Sequence, residues 1–401
     1  MVADDQGTVA GFFPPTAGVF EDVCILSLAE QLPGPFATML LADLGADVIL
    51  VERPGGGDPA RAIPSVFEAM ARNKRSICID LKADDGKRQF EALARTADVV
   101  VEGFRPGVMD RLGLGYTALA SLNPGLVYAS ISGFGQSGPY RDRTAHDLSC
   151  QSVAGHLFDH GACGVPAVPY GDLAGAMFAA FAIASALFAR ERTGNGTSID
   201  ISMADGLASW MTPFLGPALN GFAPFDLRAE PAYGLFACLG GSVLSLSIAH
   251  EDHFWQALCQ LLDLPDAAGL RARHRVAHSA ELRLRIAAVL AGDTLAAWAP
   301  RLDAAAIPWS PVHDIAGAAT DAHFLQRGLF SRQPEEDGTW FVCQPVKFSR
   351  YSSSLRRGAP ALGEHTRQVL GAGTAAAYSD RDRDVPQHLS IDPSTGSIRR
   401  K

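Results

Sequence analysis

The feature that most constrains the fold is the alternation of short apolar runs with helical segments between residues 23 and 202. The apolar runs have the length and composition that are typical of buried strands. They cover residues 23–28, 47–52, 76–80, 98–102, 126–132 and 197–202. Segments with helical periodicity separate most of these runs, which leaves room for the crossover helix that a pair of parallel strands requires. The sequence therefore predicts an α/β fold in which helices cover a parallel sheet.

The pattern changes after about residue 214, where strands and helices no longer alternate. A strand–turn–strand signal spans Tyr233–Cys238 and Val243–Ser247. Amphipathic helices are predicted after it, over His253–Leu262, Ala280–Leu290 and Thr294–Leu302. This order of elements predicts a smaller α+β domain.

Charge and cysteine content narrow the possible classes of function. The net charge is −9, whereas a duplex-binding surface needs a basic excess, so no nucleic-acid partner is expected. The seven cysteines occur singly, which argues against a disulfide framework or a metal site and favours the reducing cytoplasm. The amino-terminal residues are acidic where a signal peptide is basic, so export is not indicated. The uncharged stretch Leu173–Ala189 is at the lower edge of membrane-spanning length, and we interpret it as a buried helix rather than a membrane contact.

Small and basic residues cluster near the predicted ends of strands, where open parallel sheets bind their ligands. Glycine lets the backbone approach a ligand closely, and arginine binds phosphate groups well. The clusters contain Arg53 before three consecutive glycines, then Lys74 and Arg75, then Gly103, Phe104, Arg105 and Arg111. Neither a P-loop nor a dinucleotide-binding fingerprint is present. Two interpretations remain open: the clusters converge on one phosphate-rich ligand, or they are ordinary solvated charges.

Two carboxylates and a histidine are candidates for chemistry. Asp172 lies at the entrance to the apolar helix, where capping is the ordinary role of an aspartate. A carboxylate there would also lie beside free backbone N–H groups, so a nucleophile or base and an oxyanion donor could come from one element. His146 could exchange protons across the same pocket, although a lone histidine is commonly structural. Glu251 precedes a later predicted helix, where capping again accounts for it.

Several long motifs, in this order, resemble the class III CoA-transferase (CaiB/BaiF) family, which also contains the α-methylacyl-CoA racemases. The motifs are LAEQLPGPFATMLLADLGADVILVERPGGGDPAR, NKRSICIDLK, VVVEGFRPGVMDRLGLGY, NPGLVYASISGFGQSGPY and ARERTGNGTSIDISMADG. The resemblance covers about residues 23–215, is weaker in the small domain, and returns at residues 363–366.

The resemblance implies a large Rossmann-like domain built from both ends of the chain, a smaller α+β domain, and an interlocked homodimer. The predicted boundaries are a flexible leader at 1–22, the large domain at 23–214 and 331–371, the small domain at 215–330, and a disordered tail at 372–401. A coenzyme A thioester is implied as the substrate, with no tightly bound cofactor. Its phosphates and adenine would lie near the basic clusters, whose residues fall at or beside positions that the family uses for CoA.

Two reactions share this family scaffold. In the transferases, the aspartate that matches Asp172 attacks the acyl-CoA thioester, and anhydride and aspartyl-CoA intermediates then pass CoA to a second carboxylic acid. In the racemases, the same aspartate and a histidine exchange the α-proton from opposite faces, supported by a glutamate. His146 and Glu251 match the racemase histidine and glutamate, so racemisation of a 2-methylacyl-CoA is the main hypothesis.

Other residues favour the transferase alternative. Residues 173–177 follow the transferase pattern where racemases have a glycine triplet, and Gln31 lies near where some transferases place a glutamine against the anhydride. Transfer of CoA between carboxylic acids is therefore the alternative hypothesis. A third hypothesis is a CoA-ester binding protein without catalysis, against which the presence of both Asp172 and His146 argues.

Overall fold

The structure is a computed structural model that describes residues 18–157, 164–223, 226–332 and 338–371, and the backbone of 389–391 and 398–400. The chain divides into two compact units, of which the first runs to Thr212 and resumes at Gly328, and the second is Pro213–Arg327. Residues 1–17 of the predicted leader lie outside the described residues, as does most of the predicted tail. The two described segments of that tail pair as antiparallel strands.

Strands and helices alternate through the first unit, as the sequence pattern predicts. The strands are β1 (Cys24–Ser27), β2 (Asp47–Glu52), β3 (Lys74–Cys78), β4 (Val99–Glu102), β5 (Val127–Ser132), β6 (Thr197–Ser202), β7 (Tyr233–Ala237), β8 (Val243–Ser247), β9 (Trp309–Pro311), β10 (Phe330–Arg332), β11 (Trp340–Val342), β12 (Leu389–Ile391) and β13 (Ile398–Arg400). The helices are α1 (Pro33–Asp43), α2 (Pro64–Ala71), α3 (Asp84–Ala94), α4 (Val108–Leu112), α5 (Tyr116–Leu122), α6 (Asp147–Val153), α7 (Tyr170–Thr193), α8 (Met203–Trp210), α9 (Thr212–Leu219), α10 (Asp252–Leu261), α11 (Ala272–Ala277), α12 (Ser279–Leu290), α13 (Leu295–Ala304), α14 (Ile315–Ala319), α15 (Ala322–Gln326) and α16 (Thr366–Leu370). Short 3-10 helices span Pro59–Ala62 and Leu227–Ala229.

The sheet of the first unit has six strands in the order β3-β2-β1-β4-β5-β6, and every neighbouring pair is parallel. The chain moves outward from β1 to β3 and then crosses to the other side of β1, so the strand order reverses between β1 and β4. Open parallel sheets bind ligands at the carboxyl ends of the strands beside such a reversal. The predicted Rossmann-like sheet is confirmed, and its topology directs attention to the segments that follow Ser27 and Glu102.

Helices cover both faces of this sheet, which explains why its strands are continuous apolar runs. Successive side chains of a strand point to opposite faces. Ile25 and Val48 pack in a core with α1 and α7, whereas the next residues, Leu26 and Ile49, pack in a second core with α3 and α5. A helix layer therefore lies on each side of the sheet and leaves the ends of the strands for a ligand.

Helix α7 is apolar over most of its 24 residues. By length and composition alone it could cross a membrane, with a window of mean hydropathy 1.8, of which 39% is buried. Ala179 and Ile183 are fully buried in the core beside the sheet. Met177, Phe181 and Phe188 are exposed. One side of α7 is thus core of the first unit, while apolar side chains on its other side remain uncovered in the single chain.

The second unit contains the three-stranded antiparallel sheet β7-β8-β9 and the helices from α10 to α15. Trp255, Ile286 and Trp298 are buried at its centre. This unit has the antiparallel sheet and separate helices of the predicted smaller α+β domain.

After the second unit, the chain returns to the edge of the large sheet. The backbone N–H of His365 donates to the carbonyl of Ser76 at 2.8 Å, and that of Asn73 donates to the carbonyl of Arg357 at 3.0 Å. Residues from both parts of the chain therefore build the first unit.

Candidate active site

A cavity of about 520 Å³ lies in the first unit where the strand order reverses. Its wall includes the loop Ala29–Gly34 after β1, and Gly103 directly after β4. His146 and Asp172 line the same cavity. Small-molecule sites usually enclose about 300–1,000 Å³, so this volume is sufficient for a ligand. The structure thus brings together four residues that the sequence singled out, Gln31, Gly103, His146 and Asp172.

Asp172 is the third residue of α7 and is partly buried. Burial raises the pKa of its carboxyl group to about 6; the Asp147 carboxylate also raises this pKa, while the charge of His146 acts to lower it. A carboxylate with such a pKa is still mostly ionised at neutral pH and is more basic than an exposed aspartate. Asp172 can therefore act as a nucleophile or as a proton acceptor.

Asp147 holds the turn that carries Asp172. Its Oδ1 accepts hydrogen bonds from the backbone N–H groups of Gly171 at 2.7 Å and Asp172 at 3.2 Å. Its Oδ2 accepts from the Nε2 group of the fully buried Gln151. A Cβ atom at Gly171 would lie 3.1 Å from Asp147 Oδ1, so glycine permits this close approach. Sequence reasoning gave Asp147 no role, although its position directly after His146 was a signal that could have found it.

The structure corrects the expectation that Asp172 caps α7 beside free N–H groups. The N-cap residue is Pro169, and Asp172 lies within the first turn. The N–H groups of Gly171 and Asp172 donate to Asp147, and that of Leu173 donates to the carbonyl of Pro169 at 3.0 Å. These donors are already bonded, so this turn does not supply the oxyanion donor that the sequence suggested.

The amino end of α1 faces the cavity instead. Leu32, Pro33 and Gly34 line the cavity wall. The positive end of the helix dipole lies there and favours a negative charge nearby. Gly34 is required by packing, because a Cβ atom at this position would lie 2.1 Å from the Cβ of Ala29.

His146 is the N-cap residue of α6 and is exposed. Ala145, before it, packs against the loop after β5, where a Cβ on Gly133 would lie 2.5 Å from the Ala145 Cβ. The imidazole can therefore exchange protons with solvent while the preceding backbone is fixed. This position suits either an acid–base role or contact with a substrate carboxylate.

Gln31 has a φ of 68°, in the left-handed region that residues other than glycine rarely adopt. Its backbone N–H donates to both carboxylate oxygens of Asp58, at 3.1 and 3.2 Å. Asp58 is buried, and no role was predicted for it from the sequence. Since these two residues are 27 positions apart, no local pattern could have paired them.

Three of the predicted basic residues are exposed near the carboxyl ends of strands. They are Arg53, after β2, and Arg105 and Arg111, after β4. Within the described part of the chain, none of the three guanidinium groups has an ion pair or hydrogen bond. Burial raises the pKa of the Glu30 carboxyl group, and the Arg53 charge acts to lower it. Phe104 is half-buried, and its backbone N–H donates to the Glu102 carboxylate at 2.8 Å, which fixes the turn after β4. These three charges are therefore accessible to an anionic ligand.

Lys74 and Arg75 do not belong to this accessible group, which corrects the expectation that both lie near the end of a strand. Strand β3 begins at Lys74, so the two residues lie at the amino end of their strand rather than after a strand. Lys74 is fully buried, and its Nζ donates to the Pro35 carbonyl at 2.7 Å and to Thr38 Oγ1 at 2.9 Å. Burial lowers its pKa to about 7. Arg75 is half-buried and forms an ion pair with Asp47, so both side chains are less accessible than the three arginines, and their contact with CoA stays a prediction.

Glu251 belongs to the second unit and is the N-cap residue of α10. Its Oε2 accepts a hydrogen bond from the backbone N–H of Ala249 at 3.0 Å, and backbone hydrogen bonds lower the pKa of this half-buried carboxyl group. Its role as the support of a catalytic histidine stays a prediction.

No group of three or more histidine, cysteine, aspartate or glutamate side chains could hold a metal ion among the residues that the structure describes. The cavity instead offers the carboxylate of Asp172, the imidazole of His146 and the amide of Gln31. Together with the Rossmann-like sheet, these groups are typical of an α/β enzyme that acts on an acyl substrate by acyl or proton transfer.

Comparison with known proteins identifies the family within this class of enzyme. The family model for CoA-transferase family III matches residues 20–366. The chain therefore belongs to the class III CoA-transferase (CaiB/BaiF) family, and the resemblance inferred from its motifs is confirmed.

Its relatives are named for CoA transfer. The chain is 36% identical over 377 residues to an acetyl-CoA:oxalate CoA-transferase of Acetobacter aceti, covering 86% of this chain and 94% of the relative. It is 33% identical to a succinyl-CoA:glutarate CoA-transferase of Mus musculus, covering 87% and 85%. A solved CAIB/BAIF family protein from Brucella suis superposes with a TM-score of 0.78 at 28% identity, covering 88% and 99%. These names favour the transferase hypothesis over the racemase hypothesis, and racemase activity is not indicated.

Proposed function

We propose that this protein transfers CoA from an acyl-CoA to a free carboxylic acid, with Asp172 as the covalent carrier. The observation that carries the proposal is the partly buried Asp172 carboxylate in the wall of the cavity at the strand reversal, with its pKa raised to about 6. Membership of the class III family and the names of the relatives support the same reaction.

The reaction proceeds in balanced substitution steps. The Asp172 carboxylate attacks the thioester carbonyl carbon, and the CoA thiolate leaves, which forms a mixed anhydride. The thiolate then attacks the Asp172 carbonyl, the donor acid leaves as its carboxylate, and an aspartyl-CoA thioester remains. The acceptor carboxylate attacks this thioester and releases the thiolate, which finally attacks the acceptor acyl group and restores the Asp172 carboxylate. No net proton transfer and no redox cofactor are required.

The surroundings of Asp172 suit this sequence of steps. Burial raises the basicity of the carboxylate, and Asp147 fixes its backbone through two hydrogen bonds. The positive end of the α1 dipole, at Leu32–Gly34, would stabilise the negative charge that develops on the acyl oxygen. Gln31 would donate its side-chain amide to the same oxygen.

We propose a small dicarboxylic acid as the acceptor class. Relatives with 32–36% identity are named for oxalate, glutarate and mesaconate. Exposed His146 and the amino end of α1 both line the cavity and could bind the second carboxylate.

The accessible arginines support CoA as the carried group. The strands β2 and β4 are the two neighbours of β1 in the sheet. Arg53 follows β2, and Arg105 and Arg111 follow β4. Phosphate groups of CoA would contact these guanidinium groups, because arginine binds phosphate through two parallel hydrogen bonds.

Racemisation stays the second candidate, because His146 and Asp172 line one cavity. The experiment incubates the enzyme in deuterated water with a chiral 2-methylacyl-CoA, and in parallel with succinyl-CoA or acetyl-CoA plus a panel of dicarboxylates. Transfer predicts a new acyl-CoA that depends on the acceptor acid, and no α-deuterium in its absence. Deuterium at the α-carbon without any acceptor, together with no transfer to any acid, would overturn the proposal.

We also propose that the protein is a cytoplasmic homodimer with no membrane contact. The family resemblance implies an interlocked dimer, and Met177, Phe181 and Phe188 of α7 form an exposed apolar row that a second copy would cover. The free cysteines among the described residues suit the reducing cytoplasm. The mass in solution, measured by light scattering at several protein concentrations, tests the dimer.

A further inference from the structure

Gln31 and Asp58 form a contact for which the proposed reaction has no direct need. Gln31 lines the cavity in a left-handed backbone conformation, and both carboxylate oxygens of Asp58 accept its N–H. Asp58 Oδ1 also accepts from the N–H of Ala60 at 2.8 Å, and Pro59 and Ala60 line the cavity as well. One buried carboxylate therefore joins two segments of the cavity wall.

Asp58 is itself fixed to the sheet. Its backbone N–H donates to Glu52 Oε1 at 3.0 Å, at the carboxyl end of β2. Glu52 is buried and also binds the Arg61 guanidinium, at 2.7 and 2.8 Å, and the Ser76 hydroxyl of β3. The carboxylate that holds Gln31 thus has little freedom to move relative to strands β2 and β3.

Capping of a 3-10 helix does not require this arrangement. Asp226 begins the 3-10 helix Leu227–Ala229 with the same side-chain bond, to the N–H two residues later, at 3.0 Å. Its other bonds to described residues go to the Arg228 guanidinium and not to a distant loop. The bond from Asp58 to Gln31 is therefore additional to capping.

We infer that Asp58 is a positioning residue that holds Gln31 in its left-handed conformation, so that the Gln31 amide meets the acyl group carried by Asp172. This inference rests on the proposed transfer reaction. Removal of the carboxylate would let the loop relax toward ordinary φ values and move the Gln31 side chain away from the reacting oxygen. The chemical steps would then slow, while binding of the CoA portion, which lies on other residues, would change little.

The test is a double-mutant cycle on Asp58→Ala and Gln31→Ala, read by single-turnover formation of the Asp172 adduct from succinyl-CoA or acetyl-CoA. Each single variant should lower the maximal rate about tenfold to a hundredfold, since one oxyanion donor contributes on that order or more. The acyl-CoA concentration that gives half-maximal rate should stay within about twofold. The double variant should be no slower than Gln31→Ala, because both changes remove one function.

Asp226→Ala is the matched control, because it removes the same kind of cap without a bond to the Gln31 loop, and it should keep the wild-type rate. If Asp58→Ala does not fold, Asp58→Ser replaces it in the cycle, because a serine hydroxyl can still cap the 3-10 helix at Ala60 but is too short for the two-oxygen contact with the N–H of Gln31. Three results would overturn the inference. They are additive losses of rate in the double variant, an unchanged maximal rate in the Asp58 variant, and a change only in the acyl-CoA concentration that gives the half-maximal rate. Absence of an adduct in the wild-type enzyme would instead refute the proposed function and this inference with it.

Discussion

The reactivity of Asp172 is set by its burial and by two opposing charges on the segment Ala145–Val153. Burial raises the pKa of the Asp172 carboxyl group to about 6, Asp147 adds to the rise, and His146 opposes it. Among the described residues, Glu30 lines the same cavity, and burial together with the Asp172 and Asp147 charges raises the pKa of the Cys150 thiol to about 12. A higher pKa makes the carboxylate a better nucleophile, but it also reduces the ionised fraction in acid.

We therefore predict that kcat/KM for the acyl-CoA falls as the pH drops through about 6. Attack requires the ionised carboxylate, and the rate should fall about tenfold per pH unit below that value. A pH profile of wild-type kcat/KM measures this directly. A profile that is flat between pH 5 and pH 7 would contradict the role of Asp172.

Asp147→Asn should move the acid limb of this profile, the fall of kcat/KM below about pH 6, to lower pH. The amide oxygen can still accept from Gly171 and Asp172, while the negative charge that raises the Asp172 pKa is gone. Asp84→Asn, in the first turn of α3 and away from the cavity, is the control and should leave the limb in place. A limb that stays fixed or moves to higher pH in Asp147→Asn would show that this carboxylate does not act on Asp172.

The left-handed backbone of Gln31 is the other residue-scale feature that the sequence could not reveal. Such a conformation costs about 1–3 kcal/mol outside glycine and persists only where the surroundings fix it. Here the surroundings are Asp58, 27 residues away in sequence and adjacent only after folding. Periodicity and composition carry no signal for a bond of this kind.

At the scale of elements, the sequence predicts where the apolar strands lie, but it does not predict the polar residues that begin a strand. The apolar runs predict β2 and β6 with their observed bounds and place β1, β4 and β5 within a residue or two. Strand β3 begins two residues earlier than predicted, because Lys74 is buried with its amine bonded to Pro35 and Thr38. A lysine in a sequence is ordinarily expected to be exposed to solvent. The carbonyl and hydroxyl groups that accept hydrogen bonds from the Lys74 amine are brought to it only by the fold.

The amino end of helix α1 forms part of the cavity wall. The helix begins at Pro33, because proline is tolerated in the first turn of a helix. Gly34 touches Ala29 across the cavity wall, with no room for a Cβ. Both residues are buried.

Gly34→Ala should therefore lower the free energy of unfolding by about 1–3 kcal/mol, as overpacking does, and reduce the rate of transfer. Chemical denaturation and the transfer assay measure the two effects. Ala29→Gly in the same chain should restore much of both, because it removes the atom that a Cβ at position 34 would strike. Gly216→Ala, where an added Cβ meets nothing within 4 Å, is the control. A stable, fully active Gly34→Ala would contradict this packing account.

For the whole molecule, the net charge of −9 does not show which basic residues are accessible to an anionic ligand. The sequence offered five basic residues for CoA, and the structure divides them by burial and pairing. Lys74 and Arg75 stabilise the start of β3, while Arg53, Arg105 and Arg111 remain exposed. The order of motifs predicted the family and the large sheet, but only the fold separates structural charges from accessible ones.

Arg105→Ala and Arg111→Ala should each raise the Kd for a CoA thioester about tenfold, since hydrogen bonds to charged groups contribute about 1.5–3 kcal/mol and exposure to solvent reduces this. Calorimetry at low and at high salt measures the change, and the wild-type affinity should fall more steeply with salt than that of either variant. Arg88→Ala, an exposed arginine on α3 that pairs with Asp85, should leave the Kd unchanged. Unchanged affinity in both test variants would show that CoA binds elsewhere.

The central claim is that Asp172 carries the transferred group as a covalent adduct. The most direct measurement is peptide mass spectrometry after the enzyme is mixed with succinyl-CoA or acetyl-CoA and quenched with hydroxylamine, which captures an aspartyl-CoA thioester or anhydride as a hydroxamate. The account predicts a hydroxamate on the peptide that contains Asp172, dependent on acyl-CoA and absent from Asp172→Asn. CoA transfer that proceeds at full rate with no modification of Asp172, or with the modification on another residue, would contradict it.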